Sequence, residues 1–97
     1  MGWQVAFSRR SERDLRKIVE FIAREDPAAA ERWGLRLVEL AEALARNPGI
    51  GVSMPERPGV RFFPVGAYLV IYRADQKSAT VRILRFWHSA RRKRPVR

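Results

Sequence analysis

Residues 67–73 read AYLVIYR, and six of these seven side chains are apolar or aromatic in an unbroken run. A half-buried strand alternates apolar and polar side chains, because successive residues point to opposite faces. This run does not alternate, so both of its faces must be covered and it belongs in the middle of a sheet. Turn-forming residues bound it, PVG at 64–66 and ADQKSA at 74–79. Beyond them lie two more strand-like stretches, VRFF at 60–63 and TVRILRFW at 80–87. Three strands joined by short turns predict an antiparallel meander.

Upstream, the periodicity changes from two to that of a helix. Leu15, Ile18, Val19 and Ile22 recur at i, i+3, i+4 and i+7, while Arg13, Arg16, Lys17, Glu20 and Arg24 take the other faces. Ser8 or Ser11 is placed to cap this helix, and Asp26 followed by Pro27 starts a second. The second helix buries Ala30, Trp33, Leu37, Leu40, Ala41 and Leu44 and ends at Asn47-Pro48. Ahead of both, WQVAF at 3–7 reads as a short first strand. The expected fold is therefore α+β, a single domain over residues 1–97 in the order β-α-α-β-β-β, an antiparallel sheet with a helical hairpin on one face. The glycine- and proline-rich stretch PGIGVSMPERPG at 48–59 crosses between the two halves as a loop.

Composition narrows the chemistry. Ninety-seven residues suit one core, and the absence of cysteine together with a single histidine leaves no donor set for zinc and no disulfide framework. No cofactor or metal is expected. No segment has the eighteen apolar residues of a membrane span, and the N-terminus lacks a signal-like apolar core, so a soluble, cytoplasmic protein is expected. The net charge of +10 is unevenly spread: residues 1–47 carry nine basic and eight acidic side chains, whereas from Lys77 onward there are eight basic residues and no acid. A block of one sign suits an anionic partner, and a solvated, frayed tail is the competing reading for its last residues. Strict alternation along the last strand puts Arg82, Leu84, Phe86 and His88 on one side and Val81, Ile83, Arg85 and Trp87 on the other. Neither side is then cleanly polar: one of Phe86 and Trp87 is expected to finish the core at its rim, and since so thin a domain hardly buries both, a ligand or partner surface is expected there as well.

The strings FSRRSERDLRKIVEFIA at 7–23, NPGIG at 47–51, GVRFFPVGAYLVIYR at 59–73 and VRILRFWH at 81–88 resemble, in order and spacing, the RelE/ParE toxins of bacterial toxin–antitoxin modules. The resemblance implies a cognate antitoxin partner and two branches of activity. One branch resembles ribosome-dependent mRNA endoribonucleases, with the ribosome and mRNA as partners; there the matching residues are Arg61 as a phosphate clamp, Arg85 as a second cation and His88 as the general acid. The other resembles inhibitors that bind DNA gyrase without a catalytic set. Ser89 stands where the ribonucleases usually have an arginine, ARRKRPVR at 90–97 lacks their tyrosine, and the 51–59 loop lacks paired lysines. VGAYLVIYR and ILRFWH look closer to the gyrase-binding branch, for which Arg82, Phe86, Trp87, Arg91, Arg92, Lys93 and Arg94 are the expected binding residues. A basic nucleic-acid-binding domain without toxicity is a third reading of the charge alone.

Overall fold

The computed structural model describes residues 2–90. Strand β1 (Gln4–Phe7) leads into helix α1 (Arg9–Ala23), then helix α2 (Pro27–Ala43) with a 3-10 turn at Leu44–Arg46. Four strands follow: β2 (Val52–Ser53), β3 (Val60–Val65), β4 (Tyr68–Asp75) and β5 (Thr80–His88). They form one sheet in the order β1-β5-β4-β3-β2, antiparallel except that β1 lies parallel to β5. The expected order of elements is present. The short β2 is an addition, formed where the 48–59 loop pairs Val52 with Phe62 and Ser53 with Arg61.

Both helices begin where side-chain caps allow. The Ser8 Oγ accepts from the Ser11 N–H at 3.0 Å, and the Asp26 carboxylate accepts from the Ala29 N–H at 3.0 Å, each satisfying a donor that the first helical turn leaves unpaired. The hairpin then lays Leu15, Ile18, Leu37, Ala41 and Leu44 on one face of the sheet, against Tyr68, Val70 and Tyr72 of β4 and Val81, Ile83 and Phe86 of β5.

The apolar run from Tyr68 to Tyr72 lies in the central strand β4, with Ala67 left in the preceding turn, and the second face of β4 is covered by the chain itself. The loop after β2 folds back so that Met54, 1% exposed, packs with Val60, Leu69 and Ile71, flanked by Phe62, Leu84 and Trp87. A hydrogen bond from the Met54 N–H to the Val60 carbonyl, 2.9 Å, fixes that return.

The last strand departs from strict alternation. Ile71 pairs with Arg85 but Tyr72 pairs with Ile83, so Leu84 is an extra residue and β5 is bulged there. Beyond the bulge the inward and outward positions exchange. Phe86 joins Val81 and Ile83 in the core beneath the helices, 3% exposed, while Leu84 and Trp87 pack with the second cluster. Of these two adjacent aromatic side chains, which necessarily face opposite sides of the sheet, Phe86 is the one that completes the core, and Trp87 lies half-buried on the other face.

Candidate functional site

The bulge lies where β1 ends, so from Leu84 onward β5 has lost its parallel neighbour and would expose a free edge. The start of α1 takes over that role. The Ser8 N–H donates to the Ile83 carbonyl at 3.0 Å, the Ser8 hydroxyl donates to the Leu84 carbonyl at 3.0 Å, and the Asp14 carboxylate accepts the Phe86 N–H at 3.1 Å. Asp14 also holds Arg85 with a two-pronged contact, Nε to Oδ2 at 2.6 Å and Nη2 to Oδ1 at 3.1 Å. Both side chains are largely buried, 13% and 15% exposed, and the guanidinium lies 5.1 Å from the Trp87 ring centre. The charge of Arg85 and two of its N–H donors are engaged within the fold.

Next to this clamp, a groove of about 440 Å³ opens between α1 and the end of β5, lined by Asp14, Lys17, Ile18, Phe21, Tyr68, Phe86, His88 and Ala90. Asp14, Ile18 and Phe21 follow one another at i, i+4 and i+7, so they form a single stripe on α1. Phe21 is 67% exposed on its rim. His88 is exposed, meets Tyr68 edge-on at 5.2 Å, and accepts the Ala90 N–H on Nδ1 at 3.1 Å. Tyr68 in turn meets Trp33 of α2 edge-on at 5.6 Å, which continues the aromatic floor under the hairpin.

Arg61 sits elsewhere. It pairs across the sheet with Tyr72, whereas His88 pairs with Tyr68, four residues along β4. With about 3.4 Å per residue and about 4.8 Å per strand step, the Arg61 and His88 backbones are roughly 16 Å apart. Its Nη1 donates to the Gly51 carbonyl at 2.8 Å, within a hollow lined by Trp3, Pro48, Gly49, Gly59, Ala74 and Gln76. The buried Tyr72 hydroxyl completes this anchor: it accepts the Gly51 N–H at 2.9 Å and donates to the Pro48 carbonyl at 2.7 Å. Burial pushes the Tyr72 phenol above its ordinary 10.0, against the Gly51 hydrogen bond and the Arg61 charge, which pull the other way. Any side chain at Gly51 would lie 2.6 Å from that hydroxyl.

The three residues expected to form a ribonuclease set are therefore dispersed: Arg61 anchors a loop, Arg85 is neutralised by Asp14, and His88 stands on the groove rim. Of the expected binding residues, Arg82 is exposed on the sheet face away from the helices, Trp87 is half-buried, and Phe86 is core, because the bulge turned it inward. Arg91, Arg92, Lys93 and Arg94 lie outside the described residues. Asp14 and Phe21 were not among the expected residues. A signal for Phe21 exists, since a phenylalanine three residues beyond Ile18 but off the main apolar face marks a second apolar border on α1.

Among the described residues no helix is long and apolar enough to cross a membrane. The sequence profile of the ParE toxins of the type II toxin–antitoxin system parDE matches residues 5–93. Toxin RelE1 of Caulobacter vibrioides is 30% identical over 90 residues, spanning 91% of this chain and 95% of that protein. In the toxin–antitoxin complex RelBE2 of Mycobacterium tuberculosis, one chain superposes with a TM-score of 0.70 at 30% identity, covering 91% of this chain and 99% of its own. A chain of the chromosomal ParDE system of P. aeruginosa gives a TM-score of 0.76 at 22% identity over 89% and 95% of the two chains, a likeness of fold. With a bulged meander under a helical hairpin, and with 89 of 97 residues matched by that profile, this chain belongs to the ParE toxins of type II toxin–antitoxin systems, within the RelE/ParE family.

Proposed function

We propose that this toxin acts by binding, with DNA gyrase as its target, in preference to the cleavage of mRNA on the ribosome. The observation that carries this reading is the dispersal of Arg61, Arg85 and His88. In-line attack on a phosphodiester needs a cation at the phosphorus and proton-transfer groups within hydrogen-bond reach of the same atoms. Here the groups that would share those tasks are roughly 16 Å apart, at about 3.4 Å per strand residue, or already hold an internal carboxylate. Binding makes no such demand, and the surplus of basic side chains suits a complex that contains DNA.

Neutralisation follows from the groove. Phe21, Ile18 and Tyr68 give it an apolar floor and rim, and Lys17 and His88 add polar edges. An amphipathic, acidic segment of a cognate antitoxin would fill it with apolar anchors and meet the cationic side chains at its border. The partner complexes of RelBE2 and ParDE are consistent with such an antitoxin. Gyrase places the action in the cytoplasm.

The test is purified toxin in two assays from one preparation: DNA supercoiling by gyrase and cleavage of ribosome-programmed mRNA. Stalled gyrase with intact mRNA is the expected result. Cut mRNA with normal supercoiling would replace it with the ribonuclease reading, and loss of toxicity in a folded His88→Gln variant would then give His88 a catalytic role. Absence of any growth inhibition that a neighbouring gene relieves would leave only the plain nucleic-acid-binding reading.

A further inference from the structure

On the sheet face away from the helices, Arg73 of β4 and Arg82 of β5 are direct cross-strand partners. Side chains so placed leave the backbone about 5 Å apart, and like charges in that position repel. Among the described residues no carboxylate pairs with either guanidinium. Asp75, two residues along β4 on the same face, instead accepts the Lys77 N–H at 3.0 Å. Beside Arg82 lies Ala6 of β1, and beside Arg73 lies Val60 of β3. These small and apolar flanks offer no charge to either guanidinium, and Arg82 is exposed while Arg73 is half-buried. Gly59 contributes on the far side: its φ of 83° lies where L side chains are rare, and a Cβ there would come within 3.0 Å of Arg73 Nη1. The room given up by that glycine is where the Arg73 head group rests.

Two cations set side by side, with neither in an ion pair among the described residues, lower the stability of the isolated fold unless an anion joins them. From this geometry we infer that Arg73 and Arg82 form a clamp for the phosphate backbone of a nucleic acid. The planar forks of the two arginines offer paired N–H donors to phosphate oxygens, which is the contact that arginine makes best. Such a contact positions the polymer without reading its sequence. The clamp is separate from the α1/β5 groove and from the Arg61 anchor. It goes beyond the gyrase reading and does not require it, since it is measured without that enzyme.

The test is fluorescence anisotropy of a labelled DNA duplex and a labelled single-stranded RNA of equal length, titrated with the full chain over a series of salt concentrations. Each phosphate contact contributes about 0.9 to the slope of log K against log salt for duplex DNA, and about 0.7 for a single strand. The Arg73→Gln/Arg82→Gln variant should bind more weakly and lose a slope of about two on the duplex, or somewhat less on RNA. Arg82→Gln alone, at an exposed position, should lose about half of that and guards against misfolding of the double variant. Slopes unchanged on both nucleic acids would overturn the inference. So would unchanged slopes combined with weaker antitoxin binding, which would assign the pair to an acidic protein instead.

Discussion

Arg82 and Arg85 stand three residues apart on one strand and have opposite fates. Arg85 is buried, gripped by Asp14 through two hydrogen bonds and stacked near Trp87. Arg82 is exposed, faces Arg73 across the sheet and has no acidic partner among the described residues. What separates them is the bulge at Leu84, which exchanges the faces of β5 and lies where α1 replaces β1 at the strand edge. The same residue type thus serves the fold on one side of the bulge and stands exposed on the other. Charge counted along a sequence does not separate these uses. Pairing does.

The largest expected effect breaks the Arg85 side of this contrast. Asp14→Ala strands a guanidinium that is only 13% exposed and removes the acceptor of the Phe86 N–H together. Leaving one member of a buried pair uncompensated costs about 3 kcal/mol or more, and the orphaned N–H adds about 1 kcal/mol. For a domain with about 5–10 kcal/mol in total, on the order of half its stability should go. Urea denaturation at neutral pH measures it directly. A loss below about 1 kcal/mol would mean that the pair is a surface contact in energetic terms, and Arg85 would then return to the set of residues free for a partner.

Tyr72→Phe tests the other tied arginine, Arg61, through the hydroxyl that holds its loop. The substitution leaves the Gly51 N–H and the Pro48 carbonyl without the hydroxyl they share, an expected cost of about 1–3 kcal/mol. It also has a pH signature whose sign is fixed. Burial raises the phenol above 10.0 in the folded chain, so folding favours the neutral form. The stabilisation is complete below the unfolded value of 10.0 and fades as pH climbs above it through the folded value. Thermal unfolding between neutral pH and about pH 11 should therefore show an alkaline loss in the wild type that is shallower in Tyr72→Phe. Parallel curves would remove Tyr72 from the alkaline limb.

Much of the fold was legible because its signals are periodic and local. AYLVIYR could only be a central strand, the i, i+3, i+4 spacing marked both helices, and Asp26-Pro27 announced the second. Even the cover on the second face of β4 was implied, though the covering residue was not: Met54 lies in a loop whose return path depends on a backbone bond to Val60. The bulge was invisible for a related reason. One extra residue in β5 leaves no mark in a sequence where both alternating sets are mixed, yet it moved Phe86 from the expected surface to the core. The site suffered most from what sequence cannot hold, the pairing of distant residues. Arg61 and His88 are drawn together by a family pattern, whereas the register of β4 keeps them apart, and Asp14 reads as one more charge on a solvated helix until α1 is laid against Phe86.

The smallest effect carries the sharpest sign. Replacing Arg85 by Gln should destabilise, since Asp14 then loses its cation in a half-dry setting. The same change at Arg82 should stabilise, because it relieves a like-charge contact and strands nothing. The expected gain is about 0.2–1 kcal/mol, the usual range for a cross-strand pair, and it should shrink as salt screens the repulsion. Measured at low ionic strength, a rise in Tm for Arg82→Gln beside a fall for Arg85→Gln would show that the strand keeps one arginine for the fold and tolerates the other at a cost. A fall at both positions would mean that Arg82 has a stabilising contact within the chain. The distinction between the two sides of the bulge would then fail, because both arginines would be structural.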